Sequence, residues 1–331
     1  VNLRKLFYRS VNNCVGKDTK ISCALSGGLD SSSIASVLKD QGHKDVLLTT
    51  AIFEGKDKKK ISKTDETKYS SNVANSLGFK QKKINIKNTG CITSYEEIKE
   101  IFSEPASLVN GYIHYEIFKY LKSKNYRIYL DGFGGDSVIS HGYSKLFELA
   151  KNFRFGELIK QDRQLHKKKG AKYSILRTLR KYAIPSIFPS RVLWILDSFR
   201  KTKNPHKSWI KRINLKNING SIYRNLIVHF GRYPGKIKSA QDTHLANLNS
   251  LNISFGVQHA SQLGKSCGIK VYFPFLSKKL MQASLDIPVN LKLKDGIDRY
   301  IFREAMRGIV PEEVLNRTNK SDLSALSSYE I

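Results

Sequence analysis

The chain has 331 residues and a mass of 37.6 kDa, a length that corresponds to about two domains with a large buried core. Its 40% hydrophobic content and apolar periodicity exclude a mainly disordered protein, and the lack of any run of 18 apolar residues predicts no membrane-spanning helix. The 57 Lys and Arg against 28 Asp and Glu give a net charge of +29, which indicates an acidic partner or a solvated basic surface. We favour the solvated surface.

Hydrophobic patterns predict alternating helices and strands up to about residue 144. The predicted elements are a helix near 3–11, a strand at 21–25, a helix at 31–39, a strand at 46–53, a helix at 65–77, a weaker strand at 84–86, helices near 93–103 and 111–123, and a strand at 126–130. This alternation favours a parallel sheet with helices on both faces, whose ligands bind beyond the carboxyl ends of the strands. Beyond residue 144 the strand signal disappears and the pattern predicts helices. We therefore expect an α/β core over residues 1–144 and a mainly helical region over 145–331 that completes one integrated unit.

The sharpest motif follows the first predicted strand and opens the next helix. It reads Ser26-Gly27-Gly28-Leu29-Asp30-Ser31-Ser32. The glycines let backbone N–H groups approach an anion, the helix start adds its dipole, and the serines offer hydroxyl donors. Asp30 beside a phosphate requires a divalent cation between them. The string lacks the GxxxxGK[ST] pattern, so it is not a P-loop.

This string resembles the pyrophosphate loop of the N-type ATP pyrophosphatases, in the form typical of the asparagine synthetase family. Further segments resemble that family in chain order: Asp65-Glu66, Asp131–Asp136 followed by Gly142-Tyr143, Val271–Leu276, Gly296–Arg303, Val310-Pro311 and Arg317–Lys320. Together they extend over residues 20–322. The resemblance implies a fold with an adenine nucleotide α-hydrolase-like, Rossmann-like parallel sheet and a helical C-terminal region.

The resemblance also implies an activity, namely that of an AMP-forming carbon–nitrogen ligase. Such enzymes use ATP and Mg²⁺ to adenylate a carboxylate with release of pyrophosphate, and an amine then attacks the acyl-adenylate. The expected partners are a small-molecule or peptide carboxylate and ammonia or a peptide amine. Fixed cations and metal ions suit this chemistry because negative charge spreads over the phosphate oxygens in the transition state.

The family's functional residues can be assigned only where this sequence matches its motifs. By this resemblance Leu25 and Ile52 contact adenosine, Ser26, Gly27, Gly28, Ser31 and Ser32 bind pyrophosphate, and Asp131 and Gly132 hold the AMP portion. Asp30 and Asp136 match the magnesium-binding carboxylates. Arg299 matches a residue that grips pyrophosphate, and Lys320 one that stabilises charge at the reacting centre.

Three positions depart from the family pattern. Phe133 stands where asparagine synthetases have Glu and β-lactam synthetases have Tyr, and its ring neither donates nor accepts hydrogen bonds. Ser137 and Ser277 replace acidic residues. The string DGFGGDSVISHGY is similar to that of the cyclases that close lasso peptides, so a macrolactam cyclase acting on a precursor peptide is the alternative to asparagine formation. His141 within this string is a candidate acid or base, although a lone histidine is more often structural.

Two further alternatives belong to other functional classes. One is an RNA-modifying protein of the same superfamily, for which the 17 Lys and Arg in residues 160–216 would form the binding surface. No dedicated RNA domain or cysteine pair is visible, so nucleic acid is not an expected partner. The other is a non-catalytic nucleotide-binding relative, which the retained Asp30, Asp136 and Lys320 argue against.

Cysteine usage and the N-terminus provide the remaining expectations. The four cysteines lie at no disulfide or metal-ligand spacing, and no signal peptide precedes them, so we expect a reducing, cytoplasmic location.

The first residue is Val, and the family usually carries an N-terminal glutamine-hydrolysing or degenerate domain. We therefore expect that such a domain precedes this chain. The oligomeric state and the identity of the substrates stay open.

Overall fold

The computed structural model describes residues 2–16, 20–54, 66–87, 97–102, 111–168, 170–187 and 239–317. The protein divides into two compact units. The first unit comprises Val1–Ile139, Leu251–Asp286 and Ile301–Ile331, and the second comprises Ser140–Ser250 and Ile287–Tyr300. Two later stretches of the chain therefore return to the unit that contains the N-terminal sheet. The boundary expected near residue 144 and the integration of the two regions stay predictions.

The first unit is built on a five-stranded parallel sheet. Its strands are β1 Ile21–Ala24, β2 Val46–Glu54, β3 Lys80–Lys87, β4 Ile128–Leu130 and β5 Lys270–Tyr272. The strands are ordered β3-β2-β1-β4-β5, with Ile21 opposite Val46 on one side and Ile128 on the other. The expected α/β fold with a parallel sheet and a helical C-terminal region is confirmed. Because all strands run in the same direction, the loops that follow them lie at one edge of the sheet.

Helices make up most of the rest of the described chain. In chain order they are α1 Leu3–Asn12, α2 Leu29–Asp40, α3 Thr67–Leu77, α4 Gly111–Ser123, α5 Gly135–Val138, α6 Ser144–Lys151, α7 Phe155–Lys168, α8 Ile175–Thr178, α9 Ile184–Ile187, α10 Ala240–Leu248, α11 Leu251–Ser266, α12 Lys278–Asp286, α13 Val289–Lys292, α14 Tyr300–Ala305 and α15 Glu312–Asn316. A π-helical turn forms at Leu179–Ala183, a 3-10 turn at Pro274–Leu276, and a short hairpin at Leu293–Lys294 and Ile297–Asp298.

Burial explains why the central strands and helices hold together. Ile21 and Cys23 of β1 and all of β4 are buried, as expected for inner strands of a parallel sheet that is covered on both faces. On one face, Phe118 of α4, Tyr129 of β4 and Leu263 of α11 belong to a single apolar cluster. Across the described part of the chain, no helix has both the length and the hydrophobicity to cross a membrane.

The structure corrects the strand prediction in three places. The expectation of helices alone after residue 144 is wrong at β5, which pairs with β4 at the sheet edge, and at the short hairpin Leu293–Lys294 and Ile297–Asp298. A three-residue edge strand that begins with an exposed lysine is too short to show an alternating pattern. The third strand begins at Lys80 rather than Ile84, because exposed lysines conceal its first half while backbone pairing with β2 continues. Of the predicted helix near 93–103, the structure describes residues 97–102, and residues 97–99 among them are helical.

Candidate active site

Two glycine-containing loops meet at the carboxyl edge of the sheet. The first loop, Leu25–Gly28, leads from β1 into α2, and the second loop, Asp131–Gly134, leads from β4 into α5. Since β1 and β4 are paired neighbours, their loops are adjacent. A Cβ added at Gly132 would lie 3.1 Å from the backbone nitrogen of Ser31, so the second loop packs closely against the start of α2.

The first loop has the geometry of an anion cradle. Gly27 has a φ of +75°, which side-chain-bearing residues rarely adopt. Gly28 precedes the 12-residue helix α2 and provides no side-chain cap, and the N-terminus of a helix attracts anions. The Ser26 backbone N–H donates to Ser31 Oγ at 3.1 Å, and the two serine hydroxyls lie 3.1 Å apart. Ser32 Oγ is buried and, within the described structure, has no hydrogen-bond partner.

The second loop is fixed by its aspartate. Asp131 Oδ2 lies 2.9 Å from His114 Nε2 of α4, and Asp131 Oδ1 accepts a 2.8 Å hydrogen bond from the Phe133 backbone N–H. His114 was not among the predicted site residues, because a single histidine on an amphipathic helix has no distinguishing pattern. Burial, reinforced by the negative charge of Asp131, raises the pKa of the Cys23 thiol beneath the loops. Cys23 therefore remains a thiol in the core and is a poor nucleophile.

The predicted magnesium ligands lie where the two loops touch. A Cβ added at Gly135 would lie 2.7 Å from Asp30 Oδ1, so the Asp30 carboxylate packs directly against the residue that precedes the exposed Asp136. Among the described residues, no three His, Cys, Asp or Glu side chains gather into a metal-binding group. Two carboxylates beside a phosphate cradle nevertheless fit Mg²⁺, which commonly takes one or two carboxylates together with substrate phosphates.

The residues assigned to adenosine are Leu25, which begins the first loop, and Ile52 of the neighbouring strand β2. The Leu25 side chain is only 2% exposed, and its carbonyl accepts a hydrogen bond of 2.6 Å from Thr50 Oγ1. Ile52 lies near the end of β2 and is half-buried. Both backbone polar groups of Leu25 are engaged inside the protein, because its N–H also donates to the Thr49 carbonyl oxygen at 2.8 Å. Ile52 offers a side chain at this edge.

An arginine near the C-terminus clamps the first loop. Arg317 donates to the Gly27 carbonyl oxygen at 3.2 Å and to Glu66 Oε1 at 3.0 Å, and its guanidinium lies 4.0 Å from the centre of the Tyr69 ring. A Cβ at Gly27 would lie 2.7 Å from Tyr69 Cβ, so the loop and α3 are in tight contact. The sequence pattern included Arg317 but assigned it no role. Its position three residues before Lys320 was the available signal.

The two predicted cationic residues lie outside the described part of the first unit, which contains the two loops. Arg299 belongs to the second unit, where it has a φ of +57° and its Nε lies 4.0 Å from Asp298 Oδ2. Strained backbone of this kind is frequent at functional sites. Lys320 lies outside the described residues, as does Asp65. The roles assigned to Arg299 and Lys320 therefore stay predictions.

A stacked pair of histidines lies in the second unit. His141 has a φ of +70°, and its ring stacks on that of the fully buried His244 with centroids 4.4 Å apart. Lys292 Nζ lies 2.9 Å from His244 Nδ1. Burial, followed by the Lys292 charge, lowers the pKa of His141 to about 4, against a hydrogen bond with Asn247 that raises it. His141 is therefore neutral near pH 7 and packed into this unit.

The basic stretch contributes a cavity to the second unit. The cavity has a volume of about 660 Å³ and lies between α7 and the segment that begins at Ser174. Exposed Arg177, Arg180 and Lys181 line it, whereas Asp162 on the same wall is buried and accepts a 2.5 Å hydrogen bond from Thr178 Oγ1. The basic side chains described here are thus largely solvated, and Asp162 is engaged internally.

Comparisons with known proteins point to one family. A family model described as asparagine synthase matches residues 2–330. The glutamine-hydrolyzing asparagine synthetase 1 of Bacillus subtilis (strain 168) is 24% identical over 322 residues, which cover 95% of this chain and 48% of the relative. Asparagine synthetase 3 of the same organism, also glutamine-hydrolyzing, is 23% identical over 128 residues, 38% of this chain and 20% of the relative.

A search of solved structures found the U34-tRNA thiolase NcsA from Methanococcus maripaludis with its 4Fe–4S cluster. It is 15% identical, and the alignment covers 75% of this chain and 89% of that one. The TM-score of 0.26 is too low to indicate a shared fold or function. The chain spans about half the length of the first curated relative and a fifth of the second. The match to the asparagine synthase model, by contrast, extends over nearly all of the chain. The chain therefore belongs to the asparagine synthase family of ATP-dependent amide ligases.

Proposed function

We propose that this chain carries the site of an AMP-forming amide ligase, which activates a carboxylate with ATP and transfers the acyl group to an amine. The observation that supports it most is the contact between the two loops. The Asp30 carboxylate at the start of α2 packs against Gly135, beside Asp136 and next to the Asp131–Gly132 turn. Anion-binding backbone and metal-binding carboxylates thus converge at the carboxyl edge of one sheet.

Each part of this edge has a distinct task in the proposed reaction. The first loop and Ser31 and Ser32 bind the β- and γ-phosphates, and Asp131 and Gly132 hold the AMP portion. A carboxylate oxygen of the substrate attacks the α-phosphorus, and the bond from that phosphorus to the pyrophosphate oxygen breaks. The amine then attacks the acyl carbon, AMP departs, and the amine proton passes to solvent or a nearby base.

Charge neutralisation is the second requirement of the reaction. Asp30 and Asp136 would hold magnesium, which when bound neutralises phosphate charge and stabilises the departing pyrophosphate. Arg299 and Lys320 are assigned the remaining cationic roles, on pyrophosphate and at the reacting centre. Arg317 acts on the cradle itself, because its bond to the Gly27 carbonyl fixes the orientation of the loop.

The acyl acceptor and donor define two candidate products. Aspartate and ammonia would give asparagine, as the printed names of the relatives suggest, with ammonia supplied by a glutamine-hydrolysing domain of the full-length protein. A peptide carboxylate and the peptide's own amine would give a macrolactam. The ring of Phe133 beside Asp131 favours the second, since it offers no hydrogen bond to the charged groups of aspartate.

We also propose a cytoplasmic location. The three cysteines in the described part of the chain, Cys14, Cys23 and Cys267, are free thiols. Burial raises the pKa of Cys14 to about 11, so this thiol is also protonated. Unpaired protonated thiols fit a reducing compartment, which is also where ATP is available.

The test measures pyrophosphate and AMP from the purified full-length protein with ATP, magnesium, aspartate and ammonium, because ammonium bypasses glutamine hydrolysis. A parallel reaction replaces aspartate with an acetylated, amidated peptide that contains one aspartate. Carboxylate-dependent AMP release in either reaction supports the proposal. Asp30→Ala should abolish it with an unchanged circular dichroism spectrum, whereas the exposed control Asp45→Ala should retain it. ADP formation, or equal turnover by Asp30→Ala, would refute the mechanism.

A further inference from the structure

Two phenylalanines follow neighbouring strands at the same edge of the sheet. Phe133 lies in the loop after β4, and Phe273 follows β5 directly. The two strands are paired in parallel, and the backbone N–H of Asp131 donates to the carbonyl oxygen of Tyr272 at 2.9 Å. The two rings meet edge to face with their centroids 6.0 Å apart. We call these two rings the Phe shelf.

The Phe133 ring is held in place although it is exposed. Its backbone N–H is fixed by Asp131, and its ring lies against the backbone of α11 at Gly256. A Cβ at Gly256 would lie 2.5 Å from Phe133 Cζ, so a glycine is required for the ring to pack here. Even so, Phe133 remains 38% exposed, while Phe273 is half-buried. A rigid ring with an open apolar face is therefore presented at this edge.

The position of this apolar face indicates which kind of substrate group can bind against it. Phe133 is two residues from Asp131 and follows Gly132, the positions assigned to the AMP portion, so it borders the space where an activated carboxylate would lie. The ring cannot hydrogen-bond, and the ammonium and second carboxylate of free aspartate would lose hydration against it. An apolar side chain would instead gain by covering the ring and removing its exposed face from water.

We propose that the Phe shelf is an acyl-substrate subsite that binds an apolar or aromatic side chain next to the carboxylate to be activated. The substrate class is then a peptide carboxylate with large apolar neighbours rather than free aspartate. This inference rests on the proposed carboxylate activation, because it places the substrate beside the same loops. The Phe shelf determines which carboxylate is activated and takes no part in the bond changes.

The experiment compares three probes in pyrophosphate exchange into ATP with the full-length protein. The probes are free L-aspartate, the acetylated and amidated peptide Gly-Asp-Gly, and the matching peptide Phe-Asp-Phe. We expect kcat/KM for the Phe-flanked peptide to exceed both others by about tenfold or more. Phe133→Ala should remove most of this preference, and Phe133→Leu should retain part of it. Leu176→Ala, at an exposed apolar position of the second unit, should leave it unchanged.

Binding of the same peptides, measured by calorimetry, separates failure of this inference from failure of the proposed function. Phe133-dependent binding of the Phe-flanked peptide without any exchange would support the Phe shelf and contradict carboxylate activation. Exchange that is equally fast with all three probes, or fastest with aspartate, would overturn the Phe shelf and leave the proposed activity intact. If Phe133→Ala bound and activated the Phe-flanked peptide as well as the natural protein, the inference would also fall.

Discussion

At the residue scale, Arg317 shows how one side chain can connect distant parts of the sequence. Its guanidinium contacts the first loop, Glu66 and the Tyr69 ring, and only 11% of the Arg317 side chain and 10% of the Glu66 side chain are exposed. A planar guanidinium can satisfy a carbonyl, a carboxylate and a ring face together, whereas an ammonium cannot. The residue therefore restrains the loop through geometry as well as charge.

This geometry predicts that Arg317→Lys weakens ATP binding by about tenfold although the charge is kept, because the fork to Gly27 and Glu66 is lost. Titration of ATP by calorimetry measures the change. The control is Arg307→Lys, whose side chain is 50% exposed and pairs with Glu304 and Glu312 on the surface. Equal ATP affinity in the two variants would contradict the clamp.

His141 makes a separate prediction about pH. Its pKa of about 4 in the folded protein is below the ordinary 6.5, so between these values the unfolded chain binds more protons than the folded one. The free energy of unfolding therefore rises with pH across this window, by up to about 3 kcal/mol in total from this residue.

The matched variant is His141→Asn, because asparagine tolerates the positive φ at this position. Urea unfolding at several pH values between about 4 and 6.5 should give a flatter stability profile for this variant than for the natural protein. His43→Asn, at a half-buried surface histidine, should keep the natural slope. If the free energy of unfolding of His141→Asn depended on pH as steeply as that of the natural protein, His141 would not be the source of this pH dependence.

At the element scale, the first loop depends on its contact with α3. Gly27→Ala would place a Cβ 2.7 Å from both the backbone nitrogen of Ser70 and Tyr69 Cβ, in addition to the strain of a φ of +75°. Gly42 has a similar φ of +86° but nothing within 4 Å of an added Cβ. Comparison of the two positions therefore separates steric contact from backbone strain.

We expect Gly42→Ala to lower the free energy of unfolding by about 1 kcal/mol and Gly27→Ala by about 2–4 kcal/mol, with ATP binding lost only in Gly27→Ala. Urea denaturation and ATP calorimetry measure the two effects. Similar destabilisation and similar ATP affinity in both variants would indicate that the loop has room to move away from α3.

The elements that could be predicted are those with a strong local signal. The glycine loop after β1 was recognisable because two glycines and a helix start follow a short apolar strand. The strand β5 could not be recognised, because its three residues form a strand only by pairing with β4, which lies more than a hundred residues earlier in the chain. The contacts of His114 and Gly256 with the second loop likewise depend on tertiary packing, for which a single sequence carries no local pattern.

At the scale of the whole molecule, the net charge of +29 calls for a test of nucleic acid binding. The described basic residues of the stretch 160–216 include Arg177 and Arg180, which are exposed on a cavity wall. Non-specific attraction to phosphates weakens steeply with salt. We expect transfer RNA to bind only weakly at physiological salt and to leave AMP formation unchanged. Nanomolar, salt-sensitive binding of transfer RNA in a filter assay would favour the RNA-modifying alternative instead.

The central claim is that the chain activates a carboxylate as an acyl-adenylate, and oxygen transfer tests it most directly. The full-length protein is supplied with ATP, magnesium and ammonium, together with aspartate or the Phe-flanked peptide labelled with oxygen-18 in the side-chain carboxylate. Because the carboxylate attacks the α-phosphorus and its oxygen stays there when the amine displaces AMP, mass spectrometry should find one oxygen-18 atom in AMP. Unlabelled AMP, or label in inorganic phosphate with ADP as the nucleotide product, would contradict the account.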